Sequence, residues 1–515
     1  MSPPDHDPER TPVVIASGQS IERTAMVTPV DLMEWACEDA LGAVPALRSR
    51  VDRLSVVDVM TRTGPAPATE LAFRIGAGDA AREVTTVGGN SPQWLVSRAA
   101  TDIAAGRLSV TVIAGAEAIR SSRARRHRGL PRDQGRDDLA PDPRVGDGSP
   151  GVGPAESAIG LLAPVHVYPL FESVVAARAG HDAPGHRQAM GALLAPFTEV
   201  AAAHPFAWFP EVRSAREIAT PAPDNRIVCE PYTKRMAAFL GSDQGAALVV
   251  CSLAAARRAG AEDRAVFIWA GAEATDVRFP SARPDPGRSP AIAAAAQALF
   301  AAAAGAAGPG PAPGIDDVGI LDIYSCFPSA VELAADALGV TADGSRGLTV
   351  TGGLPYFGGP GNNYTTHAIA TLTDALRDPG HAAGGGVRLG LATGLGWFIT
   401  KHALGLYGSV PPPGGFRRGD TTAAQAAIDA SARPVALTVE HDSPATVTAA
   451  TVIRGQDGTA TGAPLIARLP DGRHMALAAA DDAVVAEVGS QDVPGLVGRR
   501  VVVQAGEPRY RLAEG

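Results

Sequence analysis

The sequence has only four cysteines in 515 residues, Cys37, Cys229, Cys251 and Cys326, far apart and with no CxxC spacing. That excludes a zinc ribbon and a disulfide framework. Long hydrophobic runs are missing too. The one extended uncharged stretch, Ala291 to Gly308, is mostly alanine with Gln297 inside it, too weakly apolar to enter a bilayer, and reads as a packed helix. Met1 to Thr11 is polar and proline-rich without an apolar signal core, so the cytoplasm is the expected location and no membrane insertion is expected. Positive charge is in deficit, with 45 Lys and Arg against 54 Asp and Glu and a net charge of −9. This argues against a nucleic-acid partner, although a local arginine cluster can still hold a phosphorylated ligand.

What is present is enough length for two large units and an appendage, and one stretch of design used twice. Leu54 to Val59, Glu70-Leu71-Ala72, Gly76 and Thr86 to Gly89 recur as Val318 to Ile323, Glu332-Leu333-Ala334, Gly339 and Leu348 to Gly353. Asp58 to Asp322 and Gly88 to Gly352 are both offsets of 264 residues, and Glu70 to Glu332 is 262, so a two-residue gap opens and closes between fixed landmarks. Proline-started helical segments, Pro29 to Ala46 and Pro290 to Ala307, precede both copies.

Apolar runs at Val13 to Ala16, Val56 to Val59, Val110 to Ala114, Val266 to Trp269, Ile320 to Ile323 and Leu389 to Leu391 read as buried strands between helices, an α/β pattern. Thr101 to Gly106 reads as a helix end with Gly106 as its left-handed cap. Arg120 to about Asp224, rich in Pro, Gly and Arg, reads as an insertion of irregular structure. Pro411 to Gly415 reads as a linker. From Arg433 onward β-type runs recur at Val435 to Val439, Val447 to Ile453, Leu465 to Leu469, Met475 to Ala478, Val484 to Val488 and Val501 to Val503, with Asp457-Gly458 and Asp471-Gly472 as turns. A small OB-like β-barrel is expected. Its eight Arg or Lys against ten Asp or Glu, with few aromatics, disfavour nucleic acid there also.

Gly352 to Pro360 resembles the glycine-rich thiolase block that ends in Gly-His-Pro. Ile103 to Gly106 followed by Ala114 to Glu117 resembles the helix and strand after the thiolase nucleophile. Ser242 to Ala247 and Tyr324 to Phe327 resemble further thiolase blocks, the last in sterol-carrier-protein-type enzymes. The chain is identified from these, over Pro12 to Tyr407, as resembling the thiolase superfamily and within it the thiolase-like proteins of type 1, which carry an additional C-terminal domain. The resemblance implies a duplicated five-layered α-β-α-β-α fold with an inserted loop domain. The halves would then be 12–119 with 225–265, and 266–410, the insertion 120–224, the linker 411–432 and the β-domain 433–515. It also implies that any dimer pairs the strand Val110 to Ala114 across a twofold. A monomer or dimer is expected.

Thiolase chemistry needs a thiolate, a base and oxyanion holes. Family spacing puts the nucleophile at Gly89, the Gly-His-Pro histidine at Gly359, the second cysteine at Ala392 and the water-holding residue at Tyr324, so all four functional positions are changed. The remaining candidates are Ser91, against its role or that of Asn90 as a helix N-cap, Cys326, against simple packing, and His367 as a base, with His402 near Lys401 as a further histidine. The loops at Gly88 to Ser91 and at Gly352 and Gly353 retain amide donors for a thioester carbonyl. Arg123, Arg125 and Arg126, in a run with Arg120, Arg128, Arg132 and Arg136, lie where thiolases hold the nucleotide of coenzyme A, although Asp133, Asp137 and Asp138 interrupt the charge. The expectation is an acyl-CoA-binding protein, nominally an acyltransferase, without classical thiolase activity, with no covalently bound cofactor and no metal. The rival is a scaffold that docks a protein partner through the barrel.

Overall fold

The computed structural model describes residues 7–61, 63–131, 135–136, 138–378 and 388–513. The first half runs β1 (Pro12–Ile21), α1 (Pro29–Gly42), β2 (Arg53–Val56), α2 (Pro67–Arg74), β3 (Ala81–Thr85), α3 (Ser91–Ala104) and β4 (Val110–Ala118). Local signals set its ends. Thr28 and Asp31 form a reciprocal capping box ahead of Pro29. Gly76 and Gly106 take left-handed φ values of 71° and 73° just past α2 and α3.

The inserted segment contains α4 (Ile119–His127), β5 (Arg144–Val145), α5 (Pro154–Ala158), α6 (Pro164–Ala179), α7 (Ala183–Ala203) and α8 (Ala215–Ala219), followed by β6 (Ile227–Cys229) and β7 (Tyr232–Thr233). The irregular structure expected here is instead largely helical. Prolines and glycines that read as breakers are helix punctuation: Pro164 opens α6, Gly180 at φ 68° closes it, and Asp182 caps α7 by accepting from Gly185 N.

The chain then adds β8 (Asp243–Ser252) and α9 (Leu253–Arg258) before the second half: β9 (Val266–Thr275), α10 (Pro290–Ala306), β10 (Val318–Asp322), α11 (Pro328–Leu338), α12 (Gly353–Tyr356), α13 (Tyr364–Arg377), β11 (Leu389–Gly396) and β12 (Lys401–Gly408). All the strands from β1 to β12 except β6 and β7 belong to one sheet ordered β10-β11-β12-β9-β1-β8-β4-β2-β3-β5. From its centre the two arms repeat one pattern. β1-β8-β4-β2 and β9-β12-β11-β10 are each paired antiparallel, antiparallel, then parallel. The arms join where Val13 and Val14 pair with Phe267 and Val266.

Helices α3 and α13 lie between the arms, where Leu95, Val96, Ile103, Ile369 and Leu372 form a dry core with Val14, Leu248 and Ile268. α1 packs on the outer face of one arm and α10 on that of the other. The α-β-α-β-α layering therefore follows from the duplication. One strand is not repeated: the counterpart of β3, around Leu348 to Val350, forms no ladder with β10 and is held there by Ile323 N to Leu348 O (2.9 Å) and by Thr349 Oγ1 and Val350 N on the Asp322 carboxylate (both 3.0 Å). The dimer edge expected at Val110 to Ala114 is also corrected, because β4 is paired on both sides, by β2 and β8. A strand with both ladders filled has no free edge to offer.

Beyond β12 the linker is more ordered than its prolines suggest. β13 (Arg417–Arg418) runs parallel to β9, and α14 (Thr422–Ala430) packs on α10. The C-terminal strands are β14 (Ser443–Ala450), β15 (Ile453–Arg454), β16 (Ala460–Gly462), β17 (Leu465–Arg468), β18 (His474–Ala479), β19 (Arg500–Val503) and β20 (Arg509–Leu512), with α15 (Asp482–Gly489) after β18. Five of them close a barrel, β14-β17-β18-β20-β19, with β18 and β20 parallel. This is the expected OB-like barrel. Two of its predicted strands differ. Val435 contributes one bridge only, and Val484 to Val488 is helical because Asp481 caps Val484 N and the valines share a helix face. The barrel docks on its own chain: β15 pairs with β6, Ala450 N donates to Ser173 Oγ (3.1 Å), and His474 Nδ1 lies 3.1 Å from Ser281 O.

Candidate functional site

Where β2 and β10 end, the two halves place equivalent loops side by side. Gly88 N donates to Asn362 Oδ1 (3.0 Å), whose Nδ2 donates to Asp58 O (2.9 Å), so the first loop is tied to the second half. Next to it lies Gly89, the position where family spacing puts a nucleophile. A Cβ built there would sit 2.5 Å from the Tyr324 hydroxyl oxygen and 2.5 Å from Leu395 O. No side chain fits without moving one of them. Tyr324 is held in that place: its N donates to Thr393 Oγ1 (2.8 Å) and its ring meets Tyr364 edge-on at 5.3 Å. Burial pushes its phenol well above the ordinary range, so it stays neutral.

The structure does not bring Ser91, Cys326 and His367 together, and no hydrogen bond joins them among the described residues. Ser91 begins α3 and donates to Thr86 O (3.2 Å). Asn90 holds the N-cap position without a side-chain capping bond. Cys326 does face the cavity described below, but burial pushes its thiol up to about 12, away from a thiolate. His367 is fully buried on α13 with Nδ1 2.7 Å from Gln19 Oε1, and burial, with His204 beside it, lowers it to about 3. His402, placed after the last core strand by sequence, is instead inside β12 with Nε2 3.2 Å from Asp276 Oδ2. Ala392 lies in the core between the arms.

The glycine amides are largely spent. Gly352 N and Gly353 N donate to Thr349 Oγ1 (3.0 Å) and Thr351 Oγ1 (3.2 Å), and Gly359 N donates to Phe239 O (2.8 Å). At Gly359 a Cβ would come no closer than 3.1 Å, to Phe239 O, so the missing histidine is not excluded sterically as a side chain at Gly89 is.

A cavity of about 870 Å³ opens over Gly89 and Tyr324, within the size range of small-molecule sites. Its floor is Cys326 with Tyr168 stacked on Phe327 at 4.5 Å. Leu162, Phe209, Phe239, Leu354 and Phe398 make its walls apolar. Four cations also line it: Arg123, Arg213, Lys234 and Arg235. Arg235 pairs with Asp224 at 2.6 Å and Arg213 pairs with Glu211. Trp397 lines it with a left-handed backbone, φ 58°, an unusual conformation for a bulky residue and one that clusters at binding sites. Two buried donors on this lining, Trp397 Nε1 and Tyr356 Oη, have no hydrogen-bond partner.

The arginine run divides. Arg123 faces the main cavity, whereas Arg125 and Arg126 line a separate one of about 230 Å³ with Thr28, Pro29 and Leu130. Arg120 is structural, bonded to Asp243 (3.0 Å), and Arg136 pairs with Asp138 (2.8 Å). Arg132, Asp133 and Asp137 lie outside the described residues. Sequence reasoning missed Arg213, Lys234, Arg235 and Trp397. They converge from separate segments, and only the adjacency of Lys234 and Arg235 left a trace in the sequence.

No protein-family model matches the chain, nor does any curated protein sequence. Among solved structures, a monomeric SCP2-thiolase-like protein type 1 from Mycobacterium smegmatis aligns over 98% of this chain and 99% of its own, at 29% identity and a TM-score of 0.80. The chain has a thiolase-like fold. The thiolase fold is also shared by an Ltp2-ChsH2(DUF35) aldolase (19% identity, 78% of this chain, 98% of that one, TM-score 0.60) and an acetyl-CoA acetyltransferase from Syntrophomonas wolfei (15%, 78%, 99%, 0.54). The near-complete coverage of the first neighbour includes the barrel, as the thiolase-like subgroup of type 1 implies. No helix among the described residues is long and apolar enough to cross a membrane.

Proposed function

We propose that this thiolase-like protein binds an acyl-CoA or a related acyl thioester non-covalently and carries out no classical thiolysis or condensation. The observation that supports it is the Tyr324 hydroxyl standing in the volume a nucleophile at residue 89 would need, beneath a cavity that remains open. Apolar walls suit the acyl chain. Arg123 and Lys234 suit phosphate groups. Losing a general base alone typically costs roughly 10²–10⁴-fold in rate, and here no thiolate forms either. Ser91 lies off the cavity lining, Cys326 is held as a thiol, and His367 is sealed in the core.

Calorimetric titration with CoA, acetyl-CoA and long-chain acyl-CoAs, followed by intact mass spectrometry, tests this reading. Saturable binding that tightens with chain length, by about 0.8 kcal/mol per buried methylene until the cavity fills, is expected without any mass adduct. Absence of binding, or an acyl adduct on Ser91 or Cys326, would overturn it. A scaffold role through the barrel has less support, because the barrel is already docked on its own chain through β15, Ala450 and His474.

A further inference from the structure

Away from the cavity, three helices bring Glu172 (α6), His186 (α7) and Glu332 (α11) together, with one ligand atom from each within 4.8 Å of the others. His186 Nε2 is 2.6 Å from Glu172 Oε1 and 4.0 Å from Glu332 Oε2. Glu172 and His186 are 0% and 2% exposed, while Glu332, at 16%, keeps a path to solvent. Neither carboxylate has a lysine or arginine partner among the described residues. Glu172 Oε2 accepts from Tyr232 Oη (2.6 Å), which also bonds Ser329 Oγ (2.8 Å), but the buried Glu332 Oε2 receives no donor. Two buried carboxylates without a counter-charge are costly, and one of them with an unpartnered oxygen more so.

The imidazole points the same way. His186 Nδ1 lies 3.3 Å from His181 Nδ1, an outer hydrogen bond of the kind that fixes the tautomer of a ligating histidine. Nε2 faces both carboxylates: with the ring proton on Nδ1 it offers them a lone pair, a geometry that a cation between the three would satisfy, and with the proton on Nε2 it donates to Glu172 Oε1 instead. We propose that Glu172, His186 and Glu332 form a site for one divalent transition-metal cation of the zinc class, which fastens the inserted helices α6 and α7 to α11 of the second half. One imidazole and two carboxylates are ligands such an ion accepts, with the 2.6 Å contact opening as both atoms turn to the metal.

The test is titration of the chelator-treated full-length protein with Zn²⁺, Co²⁺ and Mg²⁺ by calorimetry and thermal shift, with visible absorption for Co²⁺. Expected are one equivalent of Zn²⁺ or Co²⁺, a raised melting temperature, ligand-field bands for Co²⁺ and no comparable effect of Mg²⁺. The isosteric Glu332→Gln should weaken binding at least roughly tenfold, and His186→Gln more. Binding that these variants leave unchanged, or equal responses to Zn²⁺ and Mg²⁺, would assign the ions to surface carboxylates and overturn the site. So would no binding at all. The metal comparison on the unaltered protein decides the matter even where a variant fails to fold.

Discussion

The two halves descend from one plan, and their equivalent acids have opposite surroundings. In the first half Asp58 pairs with Arg144 (2.5 Å), whose side chain is 61% exposed, and Glu70 pairs with Arg74 (2.6 Å). In the second half Asp322 is fully buried and, among the described residues, meets only hydroxyls and an amide, Thr349 Oγ1, Val350 N, Thr351 Oγ1 and Tyr364 Oη. Glu332 faces Glu172 and His186 in place of an arginine. The inserted helices α6 and α7 pack on α11, and nothing comparable covers α2. Asp58 is itself buried, so the contrast is one of counter-charge: an acid that arginine neutralises at one site must be neutralised by neutral donors, a proton or a cation at the other. One feature survives the divergence. The amide at the shared loop position is anchored by the same strand register in both arms, Met60 N on Glu117 Oε1 (2.5 Å) and Tyr324 N on Thr393 Oγ1 (2.8 Å).

The largest asymmetry is expected at the paired aspartates. Asp322→Ala strips the acceptor from four donors and should cost about 3 kcal/mol, whereas Asp58→Ala should cost about 1 kcal/mol because Arg144 can return to water. Denaturant unfolding of both variants measures the difference. Equal costs would mean that the presence of an arginine partner in one half and its absence in the other has no energetic weight.

At the loop itself, Gly89→Cys should destabilise by about 2 kcal/mol, through the collision with Tyr324 Oη and Leu395 O, and resist alkylation. Adding Tyr324→Asn vacates half of that collision. The double variant should therefore recover stability, showing coupling in a mutant cycle, and react with iodoacetamide faster than the single one. A Gly89→Cys protein as stable as the parent would show that Tyr324 does not occupy the nucleophile volume.

How much of this was legible follows from what kind of pattern each part leaves. The duplication, the layers and the barrel were readable because offsets of 264 residues and runs of β-branched residues are properties of the chain alone. β12 escaped because it opens with Lys401-His402 and contains Gly405 and Gly408. The lysine is buried only because its ammonium reaches Val87 O (2.6 Å) and Asp147 O (3.0 Å), which no local window contains. Gly89 and Tyr324 could each be located by spacing, but that one fills the space of the other is a tertiary fact. His367 looked available as a base because it follows a glycine loop; the turn of α13 points it into the interior instead. The cavity cations were invisible for the same reason as the Glu172, His186 and Glu332 cluster: their members are brought together only by packing.

A smaller effect is expected from the anchor that differs between the arms. Burial, with Asp58 adding repulsion, raises Glu117 to about 7, whereas its counterpart Thr393 does not titrate in this range. The folded chain keeps a proton that the unfolded chain loses near pH 4.5, so this group's contribution is greatest below that pH, declines as pH rises to about 7, and is flat beyond. Glu117→Gln should remove that decline and flatten the stability profile between those limits. Unchanged slopes in parent and variant would place the titration elsewhere.

The smallest effect should come from Glu70, although its duplicate Glu332 is among the most constrained acids in the protein. Arg74 also holds Asp31 at 2.7 Å and Glu34 at 3.0 Å, so removing Glu70 leaves the guanidinium with two partners and access to water. Exposed i,i+4 pairs contribute about 0.3–0.5 kcal/mol, and a network with a spare member loses less. Glu70→Gln is therefore expected to shift unfolding by no more than about 0.5 kcal/mol, and by still less in high salt, where the remaining pairs are screened as well. Glu332→Gln should act differently. It exchanges a buried carboxyl facing Glu172 for a neutral isostere, so in the metal-free protein it should be close to neutral, while the melting-temperature rise that Zn²⁺ gives the parent should be lost. If the two substitutions behave alike with and without Zn²⁺, the equivalent positions have not diverged in function, and the contrast drawn between the halves reduces to one of counter-charge alone.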